Sequence, residues 1–120
     1  MSDAVDLLAI AAHRDDAELT CGGTLAKAAR AGHRVGILDL TQGESGTRGS
    51  AATRAAEAEA AAKVLGVAVR ANAGLPDAHL HNDEPARVEL VSQIRALRPR
   101  VVILPFPVGR HPDHRIASEL

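Results

Sequence analysis

Two short clusters hold the residue types that do chemistry. Ala12-His13-Arg14-Asp15-Asp16 sets an imidazole beside two carboxylates, and His111-Pro112-Asp113-His114 sets two imidazoles around a third carboxylate. Two imidazoles and one carboxylate make a common catalytic zinc set. Three protein ligands leave a fourth position for water, whose pKa the metal lowers to about 7. A second carboxylate beside a ligand can then act as general base. His111 can donate a proton or a hydrogen bond, with Asp113 holding its charged form. Each cluster also has a plainer reading. Asp15 and Asp16 stand where a helix should start, and carboxylates there cap free N–H groups. Pro112-Asp113 is ordinary turn and cap chemistry.

The elements around the clusters favour the chemical reading. Val5 to Ala12 is a nearly continuous apolar run, as a strand buried on both faces requires. Asp16 to Ala31 reads as a helix closed by Gly32. Val35 to Leu40 is a second strand. Thr41 to Ser50, with three glycines, is a loop longer than a turn needs, which points to function. Ala51 to Leu65 is an Ala- and Glu-rich helix ended by Gly66, with Glu59 and Lys63 at a stabilising spacing. Val67 to Ala71 reads as a short strand and Asn72 to Asp83 as a polar loop. Pro85 opens a helix to about Leu97, with Val88, Val91, Ile94 and Leu97 as its expected buried face. Val101 to Leu104 is a fourth strand, and Asp113 to Leu120 a helix just begun.

Alternating strands and helices imply an α/β fold: a Rossmann-like, doubly wound parallel sheet in three α/β/α layers, with strand order 3-2-1-4. In that order strands one and four are neighbours, and the winding direction reverses between them. Ligands bind outside the carboxyl ends of such a pair. The two clusters follow strands one and four, so they should face each other.

Composition bounds the rest. The chain's 120 residues suit one domain, spanning 1–120. The last segment carries no stop signal, so the chain reads as the N-terminal part of a longer domain. Hydrophobic residues are 46% of the total, but Phe106 is the only aromatic, so the core must be aliphatic. A net charge of -1 with no basic stripe argues against a nucleic-acid partner. No apolar run approaches bilayer length, and the N-terminus lacks a signal-peptide pattern, so no membrane partner is expected and the cytoplasm is the expected compartment. The single cysteine, Cys21, excludes intrachain disulfides and suits a reducing compartment. No base accompanies Cys21 in its motif, so it reads as a small packed residue. His33, His79 and His81 read as surface histidines. Gly22-Gly23 does not open a dinucleotide fingerprint, because the turn after strand one carries His-Arg-Asp-Asp instead. Oligomeric state is left open, a homo-oligomer included.

His13 to Leu19, Cys21-Gly22-Gly23-Thr24-Leu25, Gly43 to Gly49, Arg54 and His111 to His114 together resemble the LmbE-like (PIG-L) N-acetylglucosaminyl deacetylase family. The resemblance runs along nearly the whole chain. The wording of the 43–49 loop and Gly109-Arg110 resemble the bacillithiol-biosynthesis branch. The resemblance implies His13, Asp16 and His114 as zinc ligands, with ferrous iron suited to the same donors. It implies Asp15 as general base, His111 as the group that stabilises the oxyanion or assists the leaving amine, and Asp113 as the partner of His111. Arg54 matches an arginine at the substrate site, and Glu44 and Arg48 join it as substrate-binding candidates. The implied partner is a small-molecule N-acetyl sugar conjugate, with N-acetylglucosaminyl-malate foremost and a mycothiol-type, inositol-linked or chitooligosaccharide conjugate as alternatives; a non-catalytic metal- or nucleotide-binding α/β module is the other reading of the same elements. The family has Pro where this chain has Arg14, which removes a backbone restraint but no ligand.

Overall fold

The computed structural model describes residues 4–14, 16–42, 51–76, 80–105 and 112–120, without the side chains of Ala51 and Arg54. The elements are β1 (Leu7–Ala11), α1 (Asp16–Arg30), β2 (Val35–Thr41), α2 (Ala51–Leu65), β3 (Val69–Leu75), α3 (Glu84–Leu97), β4 (Val101–Ile103) and α4 (Pro112–Glu119). All three strand pairings are parallel, and the strand order is β3-β2-β1-β4, as the alternation of elements predicts.

The central strands are apolar because both of their faces are covered. Along β1, Leu8 and Ile10 join one buried cluster, which reaches Leu90 and Leu97 of α3 and Ala117 of α4. Ala9 and Ala11 join the opposite cluster, with Ala17 and Leu25 of α1. The same alternation sends Leu38 and Leu40 of β2 one way and Val35 and Ile37 the other. A period of two on a sheet packed on both sides therefore produces the three layers.

Helix ends follow local chemistry. Asp83 caps α3 by accepting a hydrogen bond from the Ala86 N–H at 3.0 Å, and Pro85 sits in the first turn. Gly66 ends α2 with φ +79°, where a β-carbon would also come 3.1 Å from Ala29 Cβ.

Two expectations need correction. β3 covers Val69–Leu75, not 67–71, so Asn72 lies inside a strand rather than in a loop. Its side chain is used there, donating to the Thr41 carbonyl at 2.7 Å and accepting from the Gly74 N–H at 2.7 Å. A polar residue that satisfies backbone groups at a strand irregularity reads as loop in sequence. On α3 the buried residues are Ala86, Leu90 and Leu97, while Val88 and Val91 are exposed. The helix carries two apolar stripes, and the β3–β4 crossover turns the Ala86/Leu90 stripe to the sheet. Ile94 and Leu97 do pack against that core, as expected.

Candidate metal centre

The centre is assembled at the carboxyl ends of β1 and β4. β1 ends at Ala11, and the turn after it is pinned by Thr41, whose N–H and hydroxyl both donate to the Ala12 carbonyl, at 3.1 and 3.0 Å. That pin fixes the backbone from which His13 projects. Asp16 opens α1, and its Oδ2 accepts from the His13 backbone N–H at 3.1 Å. Pairing of β1 with β4, with Ala9 opposite Ile103, brings the first turn of α4 to the same place.

Asp16 Oδ2 lies 3.2 Å from His13 Nδ1 and 3.0 Å from His114 Nε2. The two rings stand 5.4 Å apart, centroid to centroid, at a 49° tilt. One donor atom from each of the three residues falls within 4.8 Å of the others. A tetrahedral metal with bonds near 2.1 Å needs its donors separated by about 3.4 Å. The two separations to Asp16, 3.2 and 3.0 Å, lie near that spacing, and two nitrogens and one oxygen suit zinc or ferrous iron. Burial works to raise the Asp16 carboxyl. The hydrogen bonds and charge of His13, with the charge of His114, outweigh it and hold Asp16 below its usual value. A carboxylate kept ionised is the form a cation binds.

The far side of the His13 ring is also occupied. Asp113 Oδ2 lies 3.0 Å from His13 Nε2, and Asp113 Oδ1 accepts from the Leu80 backbone N–H at 3.2 Å. Asp113 is buried, 1% exposed. A carboxylate on the second imidazole nitrogen orients the ring and raises its basicity toward a metal on the first. The resemblance implies Asp113 as the partner of His111, which lies outside the described residues; among the described residues Asp113 links the two clusters through His13.

Asp15, Glu44, Arg48 and His111 lie outside the described residues, and Arg54 is placed on α2 by its backbone alone. Beside the triad, a cavity of about 160 Å³ runs under Asp16 and His114, bounded by Thr20, Cys21, Ile103 and Leu104. Cys21 is half-buried there, and burial pushes its thiol up, consistent with a packed rather than nucleophilic side chain.

With this geometry in view, comparison with known proteins is decisive. The chain matches the PIG-L family, described as GlcNAc-PI de-N-acetylase, over residues 8–120.

The chain belongs to the PIG-L family.

A diacetylchitobiose deacetylase of Thermococcus kodakarensis is 34% identical, over 99% of this chain and 48% of that protein. A conserved protein from Thermus thermophilus superposes with a TM-score of 0.92 at 48% identity, over 96% of this chain and 52% of that one. The N,N'-diacetylchitobiose deacetylase from Pyrococcus horikoshii, solved with an inhibitor, superposes with a TM-score of 0.89 at 32% identity, covering 98% and 48%. The chain thus spans about half the length of these relatives.

This PIG-L chain also buries a charged group that the motifs alone do not reveal. Asp39 on β2 and Arg70 on β3 form a buried ion pair joined by Glu18 of α1. The signal was present in sequence as a lone Asp in the apolar run Val35–Thr41 and a lone Arg in the run after Val67. Opposite charges in neighbouring buried strands imply a pair, because neither can be buried alone.

Proposed function

We propose that this chain is the metal-binding part of a zinc-dependent N-deacetylase that removes the acetyl group from an N-acetylglucosamine conjugate. The observation that carries the reading is the convergence of His13, Asp16 and His114 on one point, from opposite ends of the chain. When bound there, zinc supplies Lewis-acid polarisation of an amide carbonyl and acidification of a water molecule.

The chain's own residues supply the remaining functions. His13 and His114 each offer one ring nitrogen and Asp16 one oxygen. Asp113 holds the His13 ring through its other nitrogen. Asp15 accepts the proton from water as its oxygen attacks the acetyl carbon. His111 stabilises the developing oxyanion or delivers a proton to the leaving nitrogen. The C–N bond breaks and a C–O bond forms, leaving acetate and the free amine. Arg54, Arg48 and Glu44 contact the sugar conjugate. Support for the Asp15 and His111 roles, and for these substrate contacts, is the motif resemblance and family membership.

Within this substrate class, the wording of the 43–49 loop supports N-acetylglucosaminyl-malate, as in bacillithiol biosynthesis. Arg14, which replaces the family's Pro, adds a cation next to His13 in the chain, and it lines a cavity with Asp39 and Arg70. Two of the relatives are named for diacetylchitobiose, so that substrate is the direct competitor.

The test is acetate release from both substrates, with metal content measured in parallel. Asp15→Asn should keep metal content near that of the parent and lower turnover roughly 10²–10⁴-fold. His114→Ala should lose metal. Turnover unaffected by either substitution would refute the reading. Faster cleavage of diacetylchitobiose than of N-acetylglucosaminyl-malate would overturn the narrower substrate assignment alone.

A further inference from the structure

Arg70 uses all five of its N–H donors. Nε and Nη2 grip Asp39 at 2.8 and 3.0 Å, Nη1 and Nη2 grip Glu18 at 2.9 and 3.1 Å, and Nη1 also donates to the Ala58 carbonyl of α2 at 3.3 Å. Two bidentate carboxylates on one guanidinium form a rigid, planar arrangement. Asp39 is 1% exposed and fixed in β2, and the Arg70 side chain is 10% exposed. The guanidinium is therefore an immobile post, and Glu18 is the part of α1 tied to it.

Glu18 lies two residues after the ligand Asp16. Two helical positions are about 200° apart around the axis. Asp16 thus faces the metal centre while Glu18 faces away from it, toward β3. Holding Glu18 sets how far the first turn of α1 is rotated, and that rotation aims Asp16. The rest of α1 cannot do this alone. Cys21, at φ -138° and ψ 17°, is non-helical and divides α1 just after its first turn. The Thr20 hydroxyl bonds back to the Asp16 carbonyl at 2.7 Å, a contact that bends helices. The ligand-bearing turn is thus loosely coupled to the helix body and firmly coupled to Arg70.

We propose that Arg70 is a positioning residue for the metal centre, acting through Glu18 to fix the rotation of the first turn of α1 and so the aim of Asp16. This rests on the metal-centre reading of His13, Asp16 and His114. A loss of the clamp removes no ligand side chain but lets the Asp16 oxygen swing off its donor position. Metal affinity and metal geometry are then the properties that change.

The experiment measures zinc affinity by competition with a chromophoric chelator, at a temperature where every variant is folded. The absorption bands of the cobalt(II)-loaded protein report ligand geometry. Variants are Glu18→Gln, Arg70→Lys and their double, with Asp16→Asn as reference and Gly66→Ala as a destabilised control distant from the metal. Glu18→Gln and Arg70→Lys should each weaken zinc binding roughly 10–100-fold, the usual effect of losing an outer-shell partner, and should shift the cobalt bands. The double variant should be no worse than the more damaged single, since both break one link. Gly66→Ala should lower the melting temperature of the metal-free protein without changing zinc affinity. If Asp16→Asn weakens zinc binding while Glu18→Gln and Arg70→Lys leave affinity and cobalt bands unchanged, the positioning role is overturned and the metal centre stands. If Asp16→Asn leaves zinc binding intact, the metal-centre reading falls and takes this proposal with it. Should Arg70→Lys fail to fold, Glu18→Gln decides alone.

Discussion

At the residue scale, the charged groups divide into those kept ionised for use and those for which burial opposes ionisation. Asp16 is held low by two imidazoles despite its burial. Asp39 goes the other way: burial pushes its carboxyl up to about 6, with Arg70 working against the rise. A carboxyl raised in the folded state keeps its proton longer than the unfolded chain does. Its contribution to stability is complete below the ordinary value of 3.8 and is lost as pH rises through about 6. Asp39→Asn, which has no proton to lose, should lack this dependence. The stability of the parent minus that of the variant should therefore fall by up to about 3 kcal/mol from pH 4 to pH 7, at roughly 1.4 kcal/mol per pKa unit. Urea unfolding of both proteins across that range measures the difference, and a difference that grows with pH would contradict the assignment. Asp113 shows a different use of burial. It is buried with both oxygens engaged, by Leu80 and by His13, so it orients the ring it holds.

At the scale of elements, helix ends do the positioning. The first turns of α1 and α4 carry the proposed ligands Asp16 and His114, and both stand beyond the carboxyl ends of adjacent strands. α2 ends at Gly66, whose φ of +79° suits glycine and strains other residues. An added methyl would also press on Ala29 of α1 at 3.1 Å. Gly66→Ala should therefore destabilise the fold by about 1–2 kcal/mol, read as a lower denaturant midpoint with an unchanged slope. A neutral or stabilising result would show that the α2–β3 turn relaxes. On α3 the apolar stripe at Val88 and Val91 stays exposed while the Ala86, Leu90 and Leu97 stripe is buried, so apolar spacing alone did not choose the face.

At the scale of the whole molecule, the proposed metal centre joins two ends of the chain. His13 and Asp16 precede nearly all of the sheet, and His114 follows it. A metal that binds only the folded arrangement stabilises it by mass action, by about 2.7 kcal/mol at a hundredfold excess over the dissociation constant. Zinc should therefore raise the melting temperature of this protein in a concentration-dependent way. Chelator should reverse the rise, and His114→Ala should abolish it. A zinc-independent melting temperature would argue that the three ligands do not act together. Among the described residues no helix is long and apolar enough to cross a membrane.

Much of this was legible in the amino-acid order, for identifiable reasons. Apolar runs at β1 and β2 and helical stretches between them dictate a parallel sheet, and crossover handedness then restricts strand order. Residue type marks the histidines and aspartates of the two clusters as candidate donors, and the family resemblance singles out His13, Asp16 and His114 among them. What the order could not convey is relative rotation and distance. It could not show that Asp113 reaches across to His13, because that contact spans 100 residues and depends on how α4 leaves β4. It could not select between two apolar stripes on α3, because both have helical spacing. Nor could it show that Arg70, 52 residues from Glu18, holds the turn that carries Asp16. Local sequence sets which elements form and which chemistry they bear. Only the packed tertiary structure, in which buried charges must find partners, decides which of those groups meet.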